Sequence, residues 1–312
     1  MSAMIRHARS AVLFAAILPI ISLAIPPHAP GQDVQHYLRD QYQGKTFVLR
    51  GFPVGDVLRY DSSGASDRAA SGDWTTDGFV QVNDVRLSDD RLIFKAQRMV
   101  AARLDGQFQL RPLERVKGNL TKKELVQVEI KADLGMHNPS QEQLGALASK
   151  IFLTAQDSLG DLVPDYWKPC VRGGLKGTDK NCIFAAEVLS IPGVASGNGD
   201  GSETAETSGE LNSTEGSRFR VGKGVSPPRQ IYHREPEFSE AARVAKVQGT
   251  VLLQLVVNKE GVPTNIHISQ PLGYGLDAKA VEAVRSWTFS PAEKDGVPVN
   301  VAIAVEVDFH LY

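Results

Sequence analysis

The chain has 312 residues, 42% hydrophobic and 22% charged, which is the composition of globular protein, and its length is a prior for two domains. A formal net charge of -2 supplies no long-range attraction toward a polyanion, which argues against nucleic acid as a partner.

Residues 1–30 read as a secretory signal. Arg6 and Arg9 precede an apolar run from Ala11 to Ile25, which Pro26 and Pro27 close. As a helix the run spans about 22 Å, short of the roughly 30 Å hydrocarbon core, and Pro19 interrupts it. Ser22, Leu23 and Ala24 form a small-residue cleavage site, and no Cys follows the run to carry a lipid. The expectation is a periplasmic chain, with a single-pass inner-membrane anchor facing the periplasm as the alternative. No other segment reads as a membrane span.

Residues 31–190 read as a β-rich unit. VQHYLRDQY sets Val34, Tyr37, Leu38 and Tyr42 near helical spacing. Strand-like runs follow at Thr46–Leu49, Val57–Tyr60, Phe79–Leu87, Arg91–Ala96, Gln107–Leu110 and Leu125–Ile130. Several alternate apolar and polar residues between Gly, Asp, Ser and Asn clusters, the pattern of an antiparallel sheet or small barrel. A helix is expected from Ser140 to about Asp157, with Leu144, Leu147, Ile151 and Phe152 on one face. Cys170 and Cys182 are the two cysteines of the chain. In an oxidising compartment an isolated pair most often forms a disulfide, and closing so short a loop stabilises a fold by about 3 kcal/mol. With no neighbouring His they lack a metal ligand set, and neither a metal nor another cofactor is expected.

Chemistry in this unit has one candidate. Asp73, Trp74 and Asp77 in SGDWTTDGF could form an acid/base pair or a carbohydrate-stacking surface. The alternative is ordinary turn composition around an inward-packed Trp. His36 and His137 show no HExxH pattern, no GxSxG elbow exists, and GSRFRVGKG has the wrong glycine spacing for a phosphate loop.

Residues 191–227 are rich in Gly, Ser, Thr and Glu and read as a flexible linker. About 34 such residues reach on the order of 30 to 35 Å, enough to let two units move apart. Asn198, Asp200, Ser202 and Glu203 faintly suggest a calcium loop but lack the full oxygen set.

Residues 228–312 read as a small α+β unit. Ser239 can N-cap a short helix carrying Ala241, Ala242, Val244 and Ala245 and stopping at Gly249. A hairpin follows, with Val251, Leu253, Leu255 and Val257 on one face, a turn at Asn258–Gly261, and Val262, Thr264, Ile266 and Ile268 on the returning strand. His267 points away from that row. Asp277 can cap a second helix, with Leu276 and Val281 as a staple and Ala280, Val284 and Trp287 on the buried stripe. The last run places Val299, Val301, Ile303, Val305, Val307, Phe309 and Leu311 on one face of a long strand. At a sheet edge such a strand offers backbone N–H and C=O groups to a partner.

PEFSEAAR, QGTVLLQLVVNKEG, GLDAKAVEAVRSWTFSPA and DGVPVNVAIAVEVDFHL closely resemble the C-terminal domain of TonB-type energy transducers, over about a quarter of the chain. The resemblance implies a three-stranded antiparallel sheet with two helices. It also implies a periplasmic module whose final strand captures an extended segment of an outer-membrane receptor, the TonB box, or of another envelope partner, by strand addition. The pairing residues are then Asn300, Val301, Ala302, Ile303, Ala304, Val305, Glu306, Val307 and Asp308. On this reading the chain is a non-enzymatic envelope protein in TonB-dependent transport. Two alternatives stand beside it. In one, residues 31–190 bind or hydrolyse an envelope ligand and the C-terminal unit only localises them. In the other, the edge strand pairs with its own copy in a homodimer.

Overall fold

Helix α1 (Pro30–Tyr42) lays Leu38 and Tyr42 against a sheet, and the sheet order follows from how the next strands bury their apolar rows. The computed structural model describes residues 30–67, 71–113, 126–174, 180–194 and 219–311. The secretory-signal reading falls almost wholly outside these residues, as do the linker residues 195–218 with their faint calcium loop.

The N-terminal sheet has seven strands: β1 (Thr46–Val48), β2 (Val57–Tyr60), β3 (Phe79–Ser88), β4 (Arg91–Leu104), β5 (Gln107–Pro112), β6 (Gln127–Asp133) and β7 (Ile183–Phe184). The pairs β1–β3, β3–β4, β4–β5 and β4–β6 are antiparallel, as the alternating runs suggest. Two pairs, β2–β6 and β5–β7, are parallel. Strand β4 is the spine and runs eight residues past Ala96, the end that alternation marks. Met99, Val100, Ala101 and Ala102 are all buried, because this half of the strand is covered on both faces and need not alternate.

Helices α2 (Trp74–Asp77), α3 (Gln141–Ile151), α4 (Leu159–Leu162), α5 (Lys168–Gly174) and α6 (Ala186–Leu189) complete the unit. Ser140 closes a capping box with Gln143 at the start of α3. That helix stops at Ile151, six residues short of the expected Asp157. Phe152 turns extended and bridges Leu49, and Leu153 N–H donates to Val48 C=O at 2.9 Å. Asp157 then binds Arg50 at 2.8 and 2.5 Å, and this pairing holds its carboxyl down at about 2. Cys170 and Cys182 form a disulfide with Cα atoms 5.2 Å apart.

The C-terminal unit has the α+β plan that its pattern predicts. Strands β8 (Phe219–Arg220) and β9 (Arg229–Tyr232) precede α7 (Glu240–Ala245), and then come β10 (Gly249–Val257) and β11 (Pro263–Gln270). Helix α8 (Leu276–Arg285) leads to β12 (Thr288–Ser290), β13 (Ala292–Lys294), β14 (Val297–Val299) and β15 (Val301–Phe309). The main sheet runs β11–β10–β15–β8. Ser239 caps α7, its Oγ accepting from Ala242 N–H at 3.0 Å, but the helix ends at Lys246, in the left-handed region at φ 53°, three residues before Gly249. Asn258 Oδ1 fixes the hairpin turn by accepting from Glu260 and Val262 N–H at 3.1 and 2.8 Å. The expected single long last strand is two strands. Asn300 breaks it, β14 folds back on β13 through Asp295 and Gly296 at φ 53° and 79°, and β15 keeps nine residues.

The two units share one core. Trp74, Phe79, Phe108, Trp167 and Phe184 of the first unit lie in the same buried cluster as Val251, Leu253, Leu276, Val284 and Phe309 of the second. Segments at both ends of the expected linker are packed as well, with Val194 and Val225 buried. The joint is a strap, Leu272–Gly275. Ala102 and Gly273 form an antiparallel bridge, with Arg103 N–H donating to Leu272 C=O and Tyr274 N–H to Ala101 C=O, both at 3.2 Å. Gly275 N–H donates to Thr75 Oγ1 at 2.8 Å, and that hydroxyl in turn donates to the Asp73 carboxylate.

Asp277 is not the helix cap that its position suggests. Gly275 takes that place at φ 74°, and the buried Asp277 carboxylate folds back to accept from Leu272 and Gly273 N–H, both at 2.7 Å. On the other side of the joint, β11 packs against residues 165–167, α5 and residues 180–182, where Cys182 Sγ lies 3.8 Å from the Ser269 carbonyl oxygen.

Gly273 sits at φ 88°, and a Cβ there would lie 2.4 Å from Ala101 O and 2.7 Å from Ala102 Cα, so only glycine lets the two backbones meet. Gly273→Ala is expected to lower stability by more than the roughly 1–2 kcal/mol that a left-handed conformation costs alone. Gly296→Ala, whose Cβ would meet nothing within 4 Å, should show that smaller cost only, both read by urea unfolding.

Burial pushes the Asp277 carboxyl up to about 7, with Asp73 adding repulsion against the pull of two backbone donors. Between about pH 4 and about pH 7 the folded chain holds a proton that the unfolded chain has released. The contribution is therefore complete at the acid end and is lost as pH rises through that window, by at most about 1.4 kcal/mol per pH unit. Asp277→Asn, which keeps a carbonyl acceptor and cannot ionise, should flatten the fall relative to the unsubstituted chain in urea unfolding across the same window.

Candidate functional site

Strand β15 pairs with β10 in unbroken register, from Val301 opposite Val257 to Phe309 opposite Gly249. One face is the apolar row that the sequence pattern marks. Val301, Val307 and Phe309 are buried and Ile303 and Val305 half-buried, and Phe309 meets Phe238 edge-on at 5.4 Å between ring centres. The other face is exposed and carries Ala302, Ala304, Glu306 and Asp308.

The backbone direction of β15 decides what it offers. Phe219 N–H donates to Asn300 C=O at 2.9 Å, so the carbonyl of Asn300 points away from β10. Backbone groups alternate sides along a strand as side chains alternate faces. The N–H and C=O of Ala302, Ala304, Glu306 and Asp308 therefore point outward, while the odd-numbered residues hold β10. Strand β8 covers the start of this edge, with Phe219 opposite Val301 and Arg220 opposite Ala302 in parallel pairing. The chain then turns off the sheet through a bridge between Gly222 and Val225. Among the described residues no strand pairs with Ile303–Phe309 on that side.

Of the nine residues marked in the sequence, the structure places Val301 to Asp308 in β15, and Asn300 just before it. Asn300 has a turn role, its Oδ1 accepting from Lys259 N–H at 3.2 Å. The reading from pattern alone does not see β8, because Phe219 and Arg220 are a two-residue strand inside a polar stretch.

The acid and aromatic cluster is built differently from a ligand surface. Trp74 is 1% exposed and sits edge-on to Trp167 at 4.9 Å and to Phe79 at 5.9 Å, so no sugar can stack on it. Asp73 caps α2 by accepting from Thr75 N–H at 2.8 Å. Asp77 lies 3.7 Å from the buried Arg98, whose guanidinium also donates to the carbonyls of Asp77, Pro53 and Gly55 at 2.8–2.9 Å. Burial raises both carboxyls, in Asp77 against the pull of Arg98 and in Asp73 against its bonds to Thr75, and burial also lowers the Arg98 guanidinium. These groups hold a loop and the joint with the strap.

A cavity of about 530 Å³ opens beside β1 and α6, lined by Phe47, Met99, Leu110 and Ile191 with Lys45 and Glu187 at its polar part. Among the described residues no group of three or more His, Cys, Asp or Glu side chains could hold a metal ion, and no helix is long and apolar enough to cross a membrane.

Residues 234–311 match the family model described as Gram-negative bacterial TonB protein C-terminal. The chain is 33% identical over 82 residues to Protein tonB2 of Pseudomonas aeruginosa, covering 26% of this chain and 30% of that one. It is 32% identical over 78 residues to Protein TonB of Vibrio cholerae serotype O1, covering 25% and 32%. The solution NMR structure of the Pseudomonas aeruginosa TonB CTD aligns at a TM-score of 0.22 and 13% identity, covering 30% of this chain and 96% of that one. The chain thus spans about a third of the length of the curated relatives it matches.

Proposed function

We propose that this chain is a non-enzymatic protein of the periplasm whose C-terminal unit takes up an extended segment of an outer-membrane receptor, or of another envelope partner, in TonB-dependent transport. The observation that carries the reading is the outer edge of β15 from Ile303 to Phe309, which no strand among the described residues covers, within the stretch that matches the TonB C-terminal model. An added strand would bond to the outward N–H and C=O groups of Ala304, Glu306 and Asp308 and align its side chains with the two faces of β15. The opposite edge strand, β11, lies against the N-terminal unit. The disulfide between Cys170 and Cys182 accords with an oxidising compartment.

Ala304→Pro removes one outward donor and leaves the β10 ladder intact, because proline is tolerated on the free side of an edge strand. The variant is expected to fold and to lose roughly tenfold or more in affinity for receptor-derived extended peptides, since a bond is lost and a partner carbonyl is left unpaired. Fluorescence anisotropy with a labelled peptide, alongside circular dichroism, measures both. Undiminished affinity in a folded variant rules out strand addition at this edge.

A further inference from the structure

The open edge carries a charge pattern as well as backbone groups. On its exposed face stand Ala304, Glu306 and Asp308, and the residues across the ladder bring no cation to them. Thr250 stands opposite Asp308 and donates to it at 2.5 Å, and Leu252 stands opposite Glu306. The cation of β8, Arg220, is registered with Ala302 at the covered end. On the other face Ile303, Val305, Val307 and Phe309 present an apolar row. In the sequence Glu306 and Asp308 are marked only as members of the pairing row, with no role for their charge. The structure puts their carboxylates one beside the next along a row of backbone donors and acceptors that no strand among the described residues pairs with.

We propose that this edge selects an extended protein segment with apolar residues at one set of alternate positions and Lys or Arg at the other, and that it disfavours a second copy of its own chain. The inference rests on strand addition at β15 and names the partner that such addition prefers. In an added strand of either direction, one set of side chains lies beside Ile303, Val305 and Val307. The other set lies beside Ala304, Glu306 and Asp308. Opposite charges at facing positions of neighbouring strands attract and like charges repel. Seven residues, Ile303–Phe309, are open, so the favoured segment has room for two such cations.

The same row acts against self-pairing. A copy aligned antiparallel about the middle of the open stretch, at Glu306 or at Val307, sets Glu306 against Glu306 or against Asp308 of the copy. Each alignment faces carboxylate with carboxylate, and charged side chains on an edge strand are a known guard against such pairing. The alignment about Val305 sets Glu306 against Ala304 and is cut to five residues, because β8 already fills the edge at Val301 and Ala302.

The test uses the full chain and two end-blocked heptapeptides, one alternating Val with Lys and one alternating Val with Glu. Binding is followed by calorimetric titration at low and high salt. The expected result is a preference of roughly three- to tenfold or more for the Lys peptide. It should shrink as salt screens exposed charges and vanish in the Glu306→Gln, Asp308→Asn double variant, whose neutral isosteres leave the fold intact. The chain should remain a monomer by sedimentation at concentrations where the double variant begins to associate.

Equal affinity for both peptides, with both abolished by Ala304→Pro, overturns the charge selectivity and keeps strand addition. Lys-peptide binding that survives Ala304→Pro undiminished is diffuse charge attraction and also overturns the inference. Binding of neither peptide removes strand addition and the inference with it. A stable dimer of the unsubstituted chain that Ala304→Pro dissolves overturns the exclusion of its own copy.

Discussion

The backbone contact between the Leu272–Gly275 strap and the end of β4 sets which side of the C-terminal sheet lies against the N-terminal unit. It is a short contact, one bridge with two flanking hydrogen bonds, and it works because Gly273 lets two main chains approach without a Cβ between them. Once it forms, β11 lies against the disulfide-bonded segment of the first unit, and the aromatic cluster around Trp74 and Trp167 closes over the same core that holds Leu253 and Phe309. The sheet then has one side against protein and its other side, β15, covered at Val301 and Ala302 alone among the described residues.

The polar groups beneath this joint explain why carboxylates stand next to tryptophan in SGDWTTDGF. A helix of four residues needs its first N–H groups bonded, and Asp73 supplies that. Thr75 then passes the same network to Gly275 of the strap, so that one short sequence segment caps a helix and fixes a contact 200 residues away along the chain. Arg98 gathers the carbonyls of Pro53 and Gly55 in an irregular segment and of Asp77 at the end of α2, which is how irregular backbone can be buried without orphaned acceptors. Such a cluster looks like chemistry in sequence because catalytic and structural networks draw on the same residue types. Here the indole is buried and the carboxylates are engaged by Thr75 and Arg98, which is a structural use of those residues.

What was legible in the sequence divides along the same physical line. Where one face of an element meets water, the pattern reads well. The alternation of β15, the β10–β11 hairpin with Asn258 at its turn, the helix start at Ser140 and the Ser239 cap all lie where pattern and cap chemistry place them. Where both faces are covered, alternation vanishes. The second half of β4 was therefore invisible as a strand, although Met99 to Ala102 are all buried. Parallel pairing of two- and four-residue strands, as in β7 and β2, has no local signature at all. Asp277 shows the same limit for a single residue. A helix-start Asp most often caps, but here Gly275 turns left-handed and frees the carboxylate to tie the strap.

For the site itself, the sequence pattern locates the strand and not its limits. The fact that decides those limits is long-range: Phe219 donating to Asn300 shows which backbone groups point outward and covers the first two residues of the row. An exposed strand edge is a hazard for any soluble domain, because it templates its own aggregation. Three features of β15 reduce that hazard while leaving the edge usable: a covered start, small alanines, and a pair of carboxylates. A fully paired edge would be safer and useless for strand addition, and an uncharged edge would be open to every extended chain, including its own. On the strand-addition proposal, the acidic row marks a compromise in which the backbone stays available and the side chains restrict who can reach it.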